Sequence, residues 1–190
     1  MGVKFGNKCD ERHHQTVSIA SPIGPMVVTV CSNGLHRLST AIDHQFVPNP
    51  TAKVEVTGVD GGVDVLANPY VNDCIEWLSA YFRNDGHEEY ASKPVIQFCP
   101  FVTNSEFYQK VWHLLRNEIP FGRTISYGEL AALSGNERAS RAVGSAMRNN
   151  PFLLMVPCHR VINKDGTIGN FSGTGGPTLK QWLLAHESHQ

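Results

Sequence analysis

The run Pro157-Cys158-His159-Arg160-Val161 sets a thiol beside an imidazole and a guanidinium. A cysteine attacks as its thiolate, and its ordinary pKa of about 8.5 has to be lowered by a neighbouring base or cation. Neighbours on an extended strand point to opposite faces, so His159 reaches Cys158 only through a bridging water or a backbone kink near Pro157. A third group must orient the imidazole, and Glu187, near the end of the last helical stretch, is the candidate. On these residues alone, a thiol hydrolase and a pair that does no chemistry both stay open.

A second set of soft donors lies elsewhere. Cys9, Cys31, His36 and Cys99 offer sulfur and imidazole, the donor types that hold structural zinc tetrahedrally. Cys31 and His36 flank Ser32-Asn33-Gly34, a hairpin turn that would bring them together. Ordinary reduced cysteines are the alternative. Cys74 falls on an apolar helical stripe and is expected in the core, and His13 and His14 are expected at the surface. Five cysteines, an odd number at scattered positions, argue against a secreted disulfide framework, so the chain reads as intracellular.

The 190 residues are 41% hydrophobic and 17% charged, which excludes collagen, coiled coil and wholesale disorder. A net charge of −1 hides an asymmetry: residues 1–100 hold 7 Lys/Arg against 11 Asp/Glu, and 101–190 hold 9 against 6. An anionic partner belongs on the second half. That excess is too small to establish nucleic-acid binding by itself. No stretch approaches the roughly 18 apolar residues of a membrane span, and no membrane partner is expected.

These residues need elements to position them. Thr16 to Ala20 alternates, Ser21-Pro22-Ile23-Gly24-Pro25 breaks the run, and Met26 to Val30 and Leu35 to Leu38 complete a β-meander, with a further short strand around Val54-Glu55-Val56. Asn68 caps a helix with Pro69 at its first position and Tyr70, Cys74, Trp77, Leu78 and Tyr81 on its inner face. Gly86 to Pro94 reads as a linker. Thr103 and Glu106 form a capping box for a helix facing inward with Phe107, Val111, Leu114 and Leu115. Ser126 and Glu129 form another, opening a two-turn helix that stops at Gly135, and a third helix runs from Arg138 to Asn149. Two short helices about a Gly-containing turn signal a helix-turn-helix. The third is thin, with Ala139, Ser140, Ala142, Gly144, Ser145 and Ala146, which suits close approach to another surface or simply tight packing. Phe152 to Val156 reads as a buried strand. The last helix has Thr178 and Gln181 as its box and Leu179, Trp182, Leu183 and His186 as its face.

Four blocks then carry a resemblance: Ile125-Ser126-Tyr127-Gly128-Glu129-Leu130-Ala131; Glu137 to Pro151 (ERASRAVGSAMRNNP); Pro157 to Val161; and Gly169-Asn170-Phe171-Ser172-Gly173 followed by Trp182-Leu183-Leu184-Ala185-His186-Glu187. In this order they resemble the active-site region of the 6-O-methylguanine-DNA methyltransferases of vertebrate type, over about residues 104–187. The resemblance implies an α+β protein: an N-terminal small antiparallel sheet with a helix over 1–92, and a mostly helical, winged helix-turn-helix-like DNA-binding and alkyltransferase domain over 93–190. It implies that Cys158 takes the alkyl group from 6-O-alkylguanine, and weakly from 4-O-alkylthymine, in one irreversible turnover without a cofactor. Glu187, His159 and a water would form the thiolate, Tyr127 would give the leaving guanine a proton, and Asn150 would brace Cys158.

The same resemblance assigns the DNA side. Arg141 would fill the gap left by the flipped base, Ser172 would bond the substrate oxygen, Phe171 would stack, and the carbonyls of Cys158 and Val161 would receive the exocyclic amine. Thr124, Asn136, Ala139, Ser140, Ala142, Met147 and Arg148 would lie along the DNA or substrate. Phe171 stands where Tyr is common, Leu153 where Pro is frequent, and Asn149 and Thr174 where Gly is, which leaves the tolerated alkyl size open. Zinc is implied at Cys9, Cys31 and His36, with Cys99 taking the place of a family histidine. The expected partner is double-stranded DNA containing alkylated guanine, met by a monomer that binds cooperatively along the duplex, in the nucleus. A noncatalytic binder of alkylated DNA is disfavoured because it would lack Cys158, and a thiol hydrolase because it would not need Arg141 or Asn150.

Overall fold

The computed structural model describes residues 9, 13–41, 46–60, 63–83, 95–169, 171 and 176–188. Strands β1 (Gln15–Ala20), β2 (Met26–Cys31), β3 (Gly34–Thr40) and β4 (Glu55–Asp60) form an antiparallel sheet in the order β3-β2-β1-β4. The first three make the expected meander. β4 lies on the far side of β1 and leaves Val56 and Val59 exposed on an edge. Alternation drives the inner face: Val17 and Ile19 on β1, and Met26, Val28 and Val30 on β2, are buried.

Helix α1 (Pro69–Arg83) begins as anticipated, with Asn68 Oδ1 accepting from the Tyr70 amide at 3.0 Å. Val71, not the half-buried Tyr70, heads the inner stripe that continues through Cys74, Leu78 and Tyr81. In α2 (Glu106–Glu118) the cap is Ser105, whose hydroxyl accepts from the Tyr108 amide at 3.3 Å. Thr103 does not cap α2; its hydroxyl closes a local turn by accepting from the Ser105 amide at 3.1 Å.

Helix α3 (Tyr127–Leu133) carries the Ser126–Glu129 capping box, with both reciprocal bonds present at 3.2 and 2.8 Å. Gly135 takes φ +88°, which ends the helix. The anticipated third helix divides: Asn136 caps a single 3-10 turn, Glu137–Ala139, before α4 (Ser140–Arg148).

Residues 152–156 are buried but do not form the expected strand. Leu154 takes φ +68°, a left-handed conformation costly for a branched residue, and the Val156 amide turns back to the Phe152 carbonyl at 2.9 Å. The segment covers the outer edge of β3 through single bridges, Leu38 to Phe152, with Leu35 to Phe98 beside it. Phe98 and Phe152 stack at 3.9 Å, with the Arg116 guanidinium 4.4 Å over Phe98.

Two short parallel strands, β5 (Ile125–Ser126) and β6 (Val161–Ile162), tie the start of α3 to the Cys158 region. Helix α5 (Gly176–Ser188) starts two residues before Thr178, so Thr178 lies inside its first turn and is exposed rather than capping. Its buried face is Leu179, Lys180, Leu183 and Glu187. Trp182 and His186, expected there, are half-buried and stack on each other at 5.1 Å beside Phe82. Side chains from the sheet, α1, α2, the 152–156 turn and α5 share one hydrophobic cluster.

Candidate active site and metal cluster

Pro157 leads into a 3-10 turn, Cys158–Arg160, so the thiol and the imidazole are not on opposite faces of a strand. Asn150 organises the approach. Its Oδ1 accepts from the Phe152 amide at 2.9 Å, while its Nδ2 donates to the Val156 carbonyl at 2.9 Å and lies 3.4 Å from Cys158 Sγ. One amide thus holds the left-handed turn and points a donor at the sulfur. Burial pushes the Cys158 thiol up, and the Asn150 hydrogen bond and the charge of Lys180 pull it partly back.

His159 is wholly buried, with Nε2 2.7 Å from Glu187 Oε1. Its Nδ1 has no hydrogen-bond partner among the described residues. Nε2 therefore carries the proton toward the carboxylate and Nδ1 is a bare acceptor. Burial lowers the imidazole pKa, partly countered by the Glu187 charge, so the ring is neutral near neutral pH.

Glu187 is held by more than His159. Arg160 Nε donates to Oε2 at 2.8 Å and Nη2 to Oε1 at 3.0 Å, Tyr81 Oη donates to Oε1 at 2.9 Å, and the Gly122 amide to Oε2 at 3.2 Å. Burial alone would raise the carboxyl, but His159 and then Arg160 override it and hold it well below the usual carboxylate range. Tyr81 reads from the sequence as a core-facing residue of α1, and no expectation attaches there to Gly122 or Lys180. Lys180 is wholly buried, donates to the Val161 carbonyl at 2.6 Å, and has its pKa drawn down to about 8 by burial. The signal for it was present: Lys180, Leu183 and Glu187 stand at i, i+3 and i+7, which puts two charges on one buried stripe.

Beside Cys158 opens a cavity of about 850 Å³, lined among others by Tyr127, Arg141, Met147, Arg148, Asn163 and Phe171. Tyr127 is half-buried and its phenol is pushed up by burial and by Cys158. Arg141, Ala142 and Arg148 are exposed on α4, Ala139 and Ser140 are half-buried at its start, and Met147 is buried. Thr124 is exposed just before β5, and exposed Asn136 spends its side chain on the cap. Both backbone carbonyls assigned to the substrate amine already accept one bond: Cys158 from the Val161 amide, Val161 from Lys180. Ser172 lies outside the described residues, as do Thr174 and the Gly86–Pro94 stretch.

The second constellation is gathered. Cys9, Cys31, His36 and Cys99 bring one ligand atom each within 4.8 Å of one another. Cys31 ends β2 and His36 stands on β3, while a bond from the Cys99 amide to the Leu35 carbonyl at 2.8 Å holds Cys99 alongside. Burial pushes the Cys99 thiol up to about 12. His14 does not lie at the surface away from this group: its Nε2 is 3.3 Å from Cys9 Sγ and its ring centroid 4.2 Å from that of His36. Cys74 is buried in the core as expected.

Known proteins resemble this chain in sequence and in fold. The family described as 6-O-methylguanine DNA methyltransferase, DNA binding domain, matches residues 106–189. The methylated-DNA–protein-cysteine methyltransferase of Mus musculus is 42% identical over 167 residues, 88% of this chain and 78% of its own. That of Shigella flexneri is 35% identical over 172 residues, 90% of this chain and 94% of its own. The crystal structure of the Mycobacterium tuberculosis O6-methylguanine methyltransferase superposes with a TM-score of 0.66 at 29% identity, covering 92% of this chain and 93% of that one. A structure of the OGT of that organism in complex with DNA gives 0.65 at 30% identity, covering 91% and 92%. With an Asn150 donor facing the Cys158 thiol, with His159 paired to a clamped carboxylate, and with identity at this level along most of its length, the chain belongs to the methylated-DNA–protein-cysteine methyltransferase family.

Proposed function

We propose that the protein repairs duplex DNA by moving the alkyl group of 6-O-alkylguanine, and weakly of 4-O-alkylthymine, onto its own Cys158, once per molecule. The observation that carries this reading is the wholly buried Nδ1 of His159, a bare acceptor on the ring whose other nitrogen is fixed by Glu187. A water at Nδ1 would pass the Cys158 proton to the imidazole, and the carboxylate would steady the imidazolium. The sulfur then bonds the alkyl carbon while the carbon–oxygen bond breaks and its electron pair stays on the guanine oxygen. Tyr127, whose raised pKa keeps it protonated until a strong base forms beside it, supplies the proton that leaves guanine neutral. Nothing regenerates a thiol from the thioether, so each molecule acts once, and the electrons balance without a cofactor.

α3 and α4 would act as a helix-turn-helix against the minor groove. The small residues Ala139, Ser140 and Ala142 permit close approach, Arg141 would enter the stack in place of the flipped base, and Arg148 would meet phosphate. Within this reading, residues 1–92 are the scaffold and 93–190 carry the DNA face and the transfer, in a monomer that works in the nucleus and loads cooperatively along DNA.

Zinc fits the second cluster. Zinc–sulfur distances near 2.3 Å put tetrahedral ligand atoms roughly 3.8 Å apart, within the observed spread. Cys9, Cys31, His36 and Cys99 would hold it, and its role would be structural, tying β2, β3 and the Cys99 segment together.

Incubating the protein with duplex bearing 6-O-methylguanine should add one methyl mass to the peptide that contains Cys158. An unchanged mass, or product in excess of protein, overturns the reading.

A further inference from the structure

Tyr81 belongs to α1, in the half of the chain that carries the sheet, yet its hydroxyl ends inside the candidate active site. The side chain is wholly buried, its ring stacked on Trp77 at 5.5 Å and edge-on to Phe121 at 5.8 Å. This packing leaves the hydroxyl aimed at Glu187 Oε1, 2.9 Å away. The same oxygen receives His159 Nε2 at 2.7 Å, so a phenol and an imidazole share one acceptor.

We propose that Tyr81 is a positioning residue of the proton relay: by sharing Glu187 Oε1 with His159, its hydroxyl sets how strongly the carboxylate draws on the imidazole and so sets the basicity at Nδ1. A carboxylate oxygen that already accepts from a phenol has less charge to offer a second donor. With the phenol removed, Glu187 would hold the imidazolium more tightly and His159 would become the stronger base. Arg160 drains the same carboxylate from the Cys158–Arg160 turn, and Gly122 contributes a backbone donor. The other titratable groups around the pair are Lys180 and Cys158 on the His159 side, and His186, whose Nε2 lies 3.0 Å from the Tyr81 carbonyl and whose ring packs 5.4 Å from that of Tyr81. The purpose of this tuning rests on the alkyl-transfer reading above; its geometry does not.

The test reads Cys158 directly, without DNA. In the intact protein, the rate of carboxamidomethylation of Cys158 by iodoacetamide is followed against pH by peptide mass. The native profile should show an acid limb set by His159. Tyr81→Phe keeps the ring packing and removes the donor, and should move that limb up by about half to one pH unit. Site-specific replacement of Tyr81 by 3-fluorotyrosine, a more acidic phenol and stronger donor, should move it down. A native profile with no acid limb, a limb that stays in place in both variants, or one that moves the same way in both overturns the proposal, even if the thermal midpoint falls. A native protein that shows the limb but takes no methyl from duplex overturns the alkyl-transfer reading alone.

Discussion

Glu187 receives His159, Arg160 twice, Tyr81 and the Gly122 amide within 3.2 Å, all on a carboxylate that is 2% exposed. Replacing it by Gln removes the negative charge that pairs with the buried Arg160 guanidinium. Breaking a buried pair from one side costs roughly 3–5 kcal/mol, which should appear as a lower urea midpoint for Glu187→Gln. Alkyl transfer should fall by about 10²-fold or more, because the imidazolium loses its countercharge. The same pair has a pH signature. Since the folded state holds the carboxyl below its ordinary value, its contribution to stability is complete above the ordinary carboxylate pKa and is lost as pH falls toward the folded-state value. The stability gap between native protein and Glu187→Gln should therefore close on acidification below about pH 4.5. A gap that stays constant down to strong acid would show that the carboxylate is not held this way.

At the scale of elements, the left-handed turn at Leu154 and the helix α4 make separate predictions. Asn150→Ala strips the Phe152 amide of its partner and leaves the Val156 carbonyl with the Cys158 amide at 2.8 Å, and the one unsatisfied buried amide costs about 1–3 kcal/mol. Stability and Cys158 reactivity should drop together, since the lost amide also faced the sulfur. Arg141→Ala should weaken repair of duplex far more than reaction with free 6-O-methylguanine, because only duplex requires a base to be extruded; equal losses on both substrates would refute the stacking role. Much of this was legible beforehand. Alternating and helical periods located the meander and α1, and the Ser126–Glu129 box and Gly135 marked α3 within a residue or two, with α4 following the turn. Phe152 to Val156 reads as a strand in the sequence because a fully apolar run has the same composition in a strand as in a buried turn, and the bonds that hold the turn come from Asn150, from Leu38 and from its own backbone. The face of α5 was misread because hydrophobicity placed Trp182 and His186 inward, whereas Lys180 and Glu187 are drawn in by partners distant in sequence. Tyr81 escaped notice for the same reason: as an apolar stripe residue it looks like core, and its partner lies 106 positions away.

Across the whole molecule, the Cys/His cluster and the candidate active site are joined by packed rings: Cys99 follows Phe98, which stacks on Phe152, which Asn150 holds beside Cys158. Native protein should contain about one zinc per chain, and Cys31→Ser should lower that content together with the thermal midpoint. Zinc near zero in the native protein rejects the site. The Tyr81–Glu187 bond also has a consequence in time. During synthesis, Cys158 is complete before α5 exists, and until α5 docks against α1 there is no carboxylate to orient His159. A growing chain whose α5 has not docked thus carries Cys158 as a thiol without the Glu187–His159 pair beside it, so carboxamidomethylation of Cys158 should be slow until α5 packs against α1.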